Sequence, residues 1–303
     1  MKASVGSIFI TSSISIKPIL KFGGIVCKFG QGAEIGAIKL GDRVGIKWTA
    51  AACGTCRRCR NGFDGHCNTV KISGYFTPGT FAEYALAPAN YVTPIPAGLN
   101  SAEAAPMLCA GLTSYSALRK CGAKSGDWVV VSGAGGGLGH LAIQLGARGM
   151  AFRMIGIDHG SKEAIVKECG AEAFVDMTKF NDKTIAEEIH RITDGEGAAA
   201  VIVCAGSNRA YGQALPMLGF GGIVVCVGIP DGELEPISNA YPVKLLPNQS
   251  HIVGSSIGSQ REAIEVLKFA ARGVVKTHYR LERLDKLGEV FQEMADGRME
   301  GRV

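Results

Sequence analysis

The sequence has no run of about 18 uninterrupted apolar residues, so no membrane-spanning helix is predicted. It has no strong excess of either charge. Lys plus Arg number 32 and Asp plus Glu 27, and the net charge of +5 is spread along 303 residues. A nucleic-acid-binding protein would concentrate that charge in a patch. There is no internal repeat and no low-complexity tract. With 47% hydrophobic and 19% charged residues, general disorder is excluded. Histidine is scarce, six in all, and none precedes His66. Glycine is what the chain has in excess, at 42 residues, about twice the usual share of ~7%. It follows no G-X-Y period, which excludes collagen. The glycines must serve turns, bulges or close backbone approach to a ligand.

Ten cysteines are present, four of them crowded into Cys53–Cys67. The others lie among apolar neighbours, where a thiol behaves as a small hydrophobe. A disulfide-rich secreted domain would be shorter and more evenly studded, so a reducing, cytoplasmic compartment is expected. The first twenty residues begin with one Lys and a short apolar stretch that four Ser or Thr interrupt. No small-residue cleavage site is clear, which argues against a targeting peptide.

From Trp128 onward the pattern is regular. β-prone runs at Trp128–Ser132, Met154–Asp158, Phe174–Asp176, Ala200–Cys204, Gly222–Val227 and His251–Gly254 alternate with helical stretches at Leu138–Ala147, Lys162–Cys169, Thr184–Thr193 and Arg209–Leu218. Strands apolar on both faces, alternating with helices, predict an α/β fold, a doubly wound parallel sheet covered on both sides. The first ~110 residues are rich in Gly, Pro and short β-type runs, and predict an antiparallel, loop-rich domain. Two amphipathic helices are expected in the tail, at Arg261–Gly273 and Leu284–Gly297.

Gly133-Ala134-Gly135-Gly136-Gly137-Leu138-Gly139 sits between a predicted strand and a predicted helix. Such a loop lets backbone N–H groups approach a pyrophosphate at a helix N-terminus. Asp158 follows at the end of the next strand, 19 residues beyond Gly139. An acid there hydrogen-bonds the adenosine ribose and repels a 2′-phosphate, which points to NAD rather than NADP. Lys162 is near enough in sequence to assist at the ribose. The competing reading is a glycine-rich turn that binds nothing.

Cys53, Cys56 and Cys59 are each three apart, and seven residues separate Cys59 from Cys67. Four thiolates close a tetrahedral zinc shell with no open position, which makes a structural site. Arg57, Arg58 and Arg60 would offset its negative charge. The spacing also admits an iron–sulfur cluster, disulfides or idle thiols.

Together and in this order, these motifs resemble the zinc-dependent medium-chain alcohol dehydrogenases, particularly the fungal NAD-dependent type. The resemblance is carried by Lys39–Trp48, the four-cysteine lobe, Gly79–Tyr84, Leu108–Thr113, the glycine loop, Phe269–Gly273 and Gly301-Arg302, from about Gly23 to the end. It implies a Rossmann domain over 111–254, an incomplete antiparallel GroES-like catalytic domain with the structural-zinc lobe over 1–110, and a segment, 255–303, returning to that domain. It also implies a small alcohol or aldehyde substrate and a homo-oligomer, tetramer or dimer, assembled through the cofactor domains. By resemblance Cys109 matches a ligand of a catalytic zinc, and Trp48 a position lining the alcohol pocket. Thr113 and Val227 match positions on the cofactor side, and Arg302 an arginine reaching the cofactor phosphates. From the residues alone, Cys109 reads as a buried thiol, Trp48 as a buried Trp and Arg302 as a solvated terminal residue.

The chain departs from the family in one respect. The Cys-His segment and the Gly-His-Glu motif that supply the other catalytic zinc ligands are not found. Leu20 and Lys21 stand where the His and Glu would be, Cys27 lies within a strand, and residues 1 to about 22 look unrelated, with the matching strands missing. One identifiable ligand of three implies impaired zinc-dependent alcohol oxidation. Two rival readings are a non-catalytic NAD-binding protein with a structural zinc, and a zinc-free quinone-reductase-like enzyme. Asp158 and the four-cysteine lobe speak against the second.

Overall fold

The computed structural model describes residues 7–12, 22–31, 38–233, 235–296 and 302. The chain divides into two compact units, Met1–Leu112 with Ile257–Val303, and Thr113–Ser256.

In the first unit the strands are β1 (Ser7–Ser12), β2 (Phe22–Phe29), β3 (Arg43–Ile46), β4 (Thr49–Ala51), β5 (Lys71–Ile72), β6 (Tyr84–Pro88) and β7 (Thr93–Pro94). Five of them form an antiparallel sheet in the order β6-β1-β2-β3-β7, and β4 pairs with β5 as a separate ribbon. Alternation sets the buried face: Ile10, Val26, Val44, Ile46, Ala85 and Ala87 form one cluster with Ala50 and Val92. β1 corrects the expectation that the matching strands are missing ahead of Gly23. Ser7–Ser12 pairs with both β2 and β6, inside the sheet. Its Ser and Thr residues hide the strand in a hydropathy reading, while a bulge between Phe9 and Ile10 adjusts the register to β2.

The C-terminal part of this unit contains the helix Gln260–Ala271. Its buried residues, Ala263, Val266, Leu267 and Ala270, recur at helical spacing on one face. Ser259 and Glu262 cap it reciprocally: Glu262 N donates to Ser259 Oγ (3.2 Å), and Ser259 N to Glu262 Oε2 (2.8 Å).

The second unit holds β8 (Trp128–Ser132), β9 (Arg153–Asp158), β10 (Ala173–Asp176), β11 (Ala198–Val203), β12 (Leu218–Cys226) and β13 (His251–Gly254), all parallel, in the order β10-β9-β8-β11-β12-β13. The order reverses between β8 and β11, which opens a crevice at the carboxyl ends of those strands. Val129, Val130, Val131, Val201 and Ile202 are fully buried. This is why these strands read as continuous apolar runs rather than alternating ones. β13 lies at one end of the sheet and is mostly exposed. Among the described residues no helix is long and apolar enough to cross a membrane.

Candidate functional site

The glycine loop leaves β8 at Gly133 and enters the helix Gly139–Gln144. Gly133 takes a φ of +78°, and a Cβ there would stand 3.0 Å from the Ala205 nitrogen. The ends of β8 and β11 therefore meet with no side chain between them, at the crevice. Gly139 has less room still: an added Cβ would lie 2.1 Å from the Gly133 carbonyl oxygen and 2.6 Å from Ala134 Cα. The loop is held from several sides. Ser114 Oγ donates to Leu138 O (2.9 Å), and Asp158 Oδ2 accepts from Gly135 N (2.8 Å). Asp158 Oδ1 accepts from His159 N (2.7 Å). Lys162 adjoins the loop, its Cβ 2.7 Å from where a Gly135 side chain would begin. Gly136 is exposed, and Gly137 and Leu138 are half-buried.

The loop, Asp158 and Lys162 are thus gathered at one end of the parallel sheet. Val227 follows β12, where its N–H donates to Val203 O (3.3 Å), and Thr113 is buried near the start of the helix Leu112–Lys120. A cavity of about 250 Å³ adjoins the end of β12, with Asn208, Tyr211, Cys226, Gly228 and Ile229 in its wall.

In the first unit the Sγ atoms of Cys53, Cys56, Cys59 and Cys67 all lie within 4.8 Å of one another. Cys56 stands 3.5 Å from Cys59 and 4.0 Å from Cys67, and Cys53 stands 3.9 Å from Cys59. Four sulfurs about 2.3 Å from a central zinc at tetrahedral angles would be roughly 3.8 Å apart. The spacing fits that shell and is far from the ~2.05 Å of a disulfide. Backbone N–H groups already point at the sulfurs, as thiolates require. Thr55 N and Cys56 N donate to Cys53 Sγ (3.4 and 3.3 Å), and Cys53 N and Thr69 N donate to Cys67 Sγ (3.3 and 3.4 Å). The hydrogen bond from the Thr55 hydroxyl, helped by these amides, holds the Cys53 thiol down to about 5. Burial pushes Cys59 up to about 12. Four thiolates at this spacing could hold a cation among them. Arg58 Nη1 donates to His66 O (3.0 Å), while Arg57 and Arg60 are exposed on the same short helix.

Cys109 is half-buried in a π-helical turn, Met107–Gly111, a distortion of the kind often found at functional sites. Arg302 bridges to the Tyr279 segment, donating its N–H to His278 O (2.9 Å) and accepting from Arg280 N (2.9 Å). Burial lowers the pKa of its guanidinium. Its buried Nε has no hydrogen-bond partner among the described residues. Trp48 is half-buried and meets Tyr75 edge to face, with ring centroids 5.2 Å apart. Cys27 is exposed on β2.

Residues 10–97 match the family model described as the alcohol dehydrogenase GroES-like domain, and residues 137–272 the one described as zinc-binding dehydrogenase. Alcohol dehydrogenase 2 of Emericella nidulans is 55% identical over 285 residues, covering 92% of this chain and 78% of that protein. The chain belongs to the zinc-dependent medium-chain alcohol dehydrogenase family. Among solved structures, the alcohol dehydrogenase of Aeropyrum pernix superposes with a TM-score of 0.81 at 25% identity, over 98% of this chain and 90% of that one. A solved NAD-dependent alcohol dehydrogenase does so with a TM-score of 0.85 at 25% identity, over 100% and 92%.

The parallel six-stranded sheet and the antiparallel sheet are the Rossmann and GroES-like halves of this family's fold. The GroES-like match begins at residue 10, within β1. Leu20, Lys21 and Gly301 lie outside the described residues. The first unit also holds a buried lysine that no motif marks. Lys47 is 1% exposed; its Nζ lies 3.4 Å from the centroid of the Tyr91 ring and donates to Tyr91 O (3.2 Å). Burial lowers this ammonium to about 7, against the pull of Asp64. The signal was present in Val44-Gly45-Ile46-Lys47-Trp48, a lysine inside an apolar run.

Proposed function

We propose that this chain binds NAD in its parallel-sheet unit and one structural zinc in the four-cysteine lobe. It is an alcohol dehydrogenase of the medium-chain family, built for the reaction between a primary or secondary alcohol and its aldehyde or ketone, and impaired in that reaction by its missing zinc ligands. The observation that carries the cofactor reading is the glycine loop at the strand-order reversal, with the Asp158 carboxylate bonded to it. Gly133, Gly135, Gly136, Gly137, Leu138 and Gly139 bring backbone to the pyrophosphate, Asp158 and Lys162 meet the adenosine ribose, and Thr113 and Val227 border the nicotinamide. The NAD dependence of a solved relative supports the same choice. Arg302, with an unsatisfied buried Nε, is suited to an anion.

The zinc of a catalytic site in this family supplies Lewis acidity to the alcohol oxygen. Of its protein ligands this polypeptide offers Cys109, and within its 303 residues no histidine precedes His66. A single thiolate holds zinc far more weakly than the closed four-sulfur lobe. The proposal therefore includes little or no turnover by this polypeptide, with Trp48 and Cys109 bordering an alcohol site that is incompletely furnished. A cytoplasmic homo-oligomer completes it. The exposed end strand β13, and the exposed Val243 and Leu246 of the helix that precedes it in the chain, support association through the cofactor units.

Metal analysis, NADH fluorescence titration and an ethanol–NAD assay on one preparation test all three parts. One zinc per chain, saturable NADH binding and negligible turnover are expected. Two tightly held zincs with robust turnover would overturn the impairment. Absence of NADH binding would overturn the cofactor reading.

A further inference from the structure

The four-cysteine lobe ends in a single turn, Asp64–His66, that leads directly into Cys67; Cys67 N donates to Asp64 O (3.1 Å). The Asp64 carboxylate does not face solvent alone. Its Oδ2 accepts from the hydroxyl of Tyr91 and from Gln260 N (2.8 Å), the first amide of the helix Gln260–Ala271. That is a favourable place for a negative charge, at a helix N-terminus. The other end of Tyr91 carries the contact on: its carbonyl oxygen and ring hold the buried ammonium of Lys47, whose neighbour in the chain is Trp48. Burial and the hydrogen bond to Asp64 raise the Tyr91 hydroxyl pKa, so it stays a donor. Close packing runs alongside. Thr49 Oγ1 donates to Gly65 O (3.3 Å), and a Cβ on Gly65 would come within 2.5 Å of Gly258 O. There is no slack around the turn that bears Cys67.

We propose that Asp64 is a positioning residue that transmits metal occupancy of the four-cysteine lobe to Trp48 through Tyr91 and Lys47. Zinc fixes Cys67 and hence the turn. The turn fixes the carboxylate, and the carboxylate holds Tyr91 under the lysine that precedes Trp48. The link to substrate rests on the reading of Trp48 as a wall of the alcohol site, but the coupling itself does not. A metal placed in the lobe for stability would in this way also set the rigidity of a pocket residue.

The chain has two tryptophans, Trp48 and Trp128, so Trp128→Phe leaves Trp48 as the sole indole. In that background, acrylamide quenching of Trp48 is measured with zinc loaded and after chelation, with zinc per chain counted in each sample. Zinc removal is expected to raise the quenching constant about twofold or more, as a held side chain becomes accessible. Asp64→Asn, which keeps size but not charge, is expected to retain one zinc and a cooperative melt, yet to show the high quenching constant in both states. Asp64→Glu restores part of the zinc response. The proposal fails if Asp64→Asn answers zinc as its parent does, or if the parent's Trp48 does not respond to zinc at all. A parent that holds no zinc removes both this proposal and the structural-zinc reading.

Discussion

Gly139→Ala tests the glycine loop most directly. The new methyl carbon would be placed 2.1 Å from the Gly133 carbonyl oxygen, 2.6 Å from Ala134 Cα and 2.8 Å from Ala134 C. All three are backbone atoms, so no rotamer change relieves the overlap. Ordinary contact begins beyond 3.4 Å, and the loop must open by more than an ångström or the helix must retreat. Overpacking of this kind costs about 1–3 kcal/mol, and a clash with backbone falls at the upper end. For a unit of this size each kcal/mol lowers the melting temperature by roughly 2–4 °C, giving a fall of about 10 °C. Gly136→Ala is the matched control. It is exposed, and its Cβ would meet only the Gly133 oxygen, at 3.3 Å. Stability should stay within about 0.5 kcal/mol of the parent. NADH binding should nevertheless weaken about tenfold, because the methyl stands where a phosphate must reach backbone N–H groups. Calorimetry and fluorescence titration of both variants separate the two effects. A Gly139→Ala chain that melts with the parent would refute the steric argument. A Gly136→Ala chain that binds NADH as the parent does would refute the loop as the cofactor seat.

Two further outcomes are expected. Asp158→Asn removes the charge that accepts from Gly135 N and repels a 2′-phosphate, so NADH affinity should fall about tenfold while NADPH affinity does not; parallel titrations decide it, and equal losses for both cofactors would contradict the assignment. Lys47 is lowered by burial to about 7, below its value in the unfolded chain. Between about pH 7 and pH 10 the unfolded state therefore binds the extra proton, and the parent gains stability as pH rises. Lys47→Met has no such term, so its advantage over the parent, measured by denaturant unfolding, should be largest at or below pH 7 and shrink toward pH 10. A gap that widens with pH would show that the ammonium is stabilised where it lies.

The fold was legible where a single physical rule dominates. Strands buried on both faces, such as Trp128–Ser132, must be apolar throughout. The helix Gln260–Ala271 repeats its buried residues at 3.6-residue spacing, and a Ser and a Glu mark its start. The four cysteines converge because a loop of this length can bring all of them to one point. β1 was not legible, because a strand inserted between two others is held by backbone pairing that its Ser and Thr side chains do not announce. The Lys47–Tyr91–Asp64 chain was hidden for another reason. Its members lie 17 to 44 residues apart, and nothing local marks Tyr91 as a hydrogen-bond donor or Asp64 as its acceptor. Cys109 shows the limit from the other side: its match to the family pattern is visible in the sequence, whereas the π-turn that contains it follows from no feature of Met107–Gly111 taken singly.

The first unit is made from the two ends of the chain, and this orders events during synthesis. Asp64 meets the amide of Gln260 across 196 residues, and Thr277 meets Met107 across 170. At about 5–20 residues per second, the ribosome needs roughly 10–40 s to supply the second partner after the first. All of Thr113–Ser256 emerges in that interval with its strands contiguous in sequence, so it can close while the cysteine turn still waits for the helix that will hold it. The lobe thus spends its first seconds as four clustered thiols on an unfinished scaffold, and early metal capture would protect them before the rest of their unit exists.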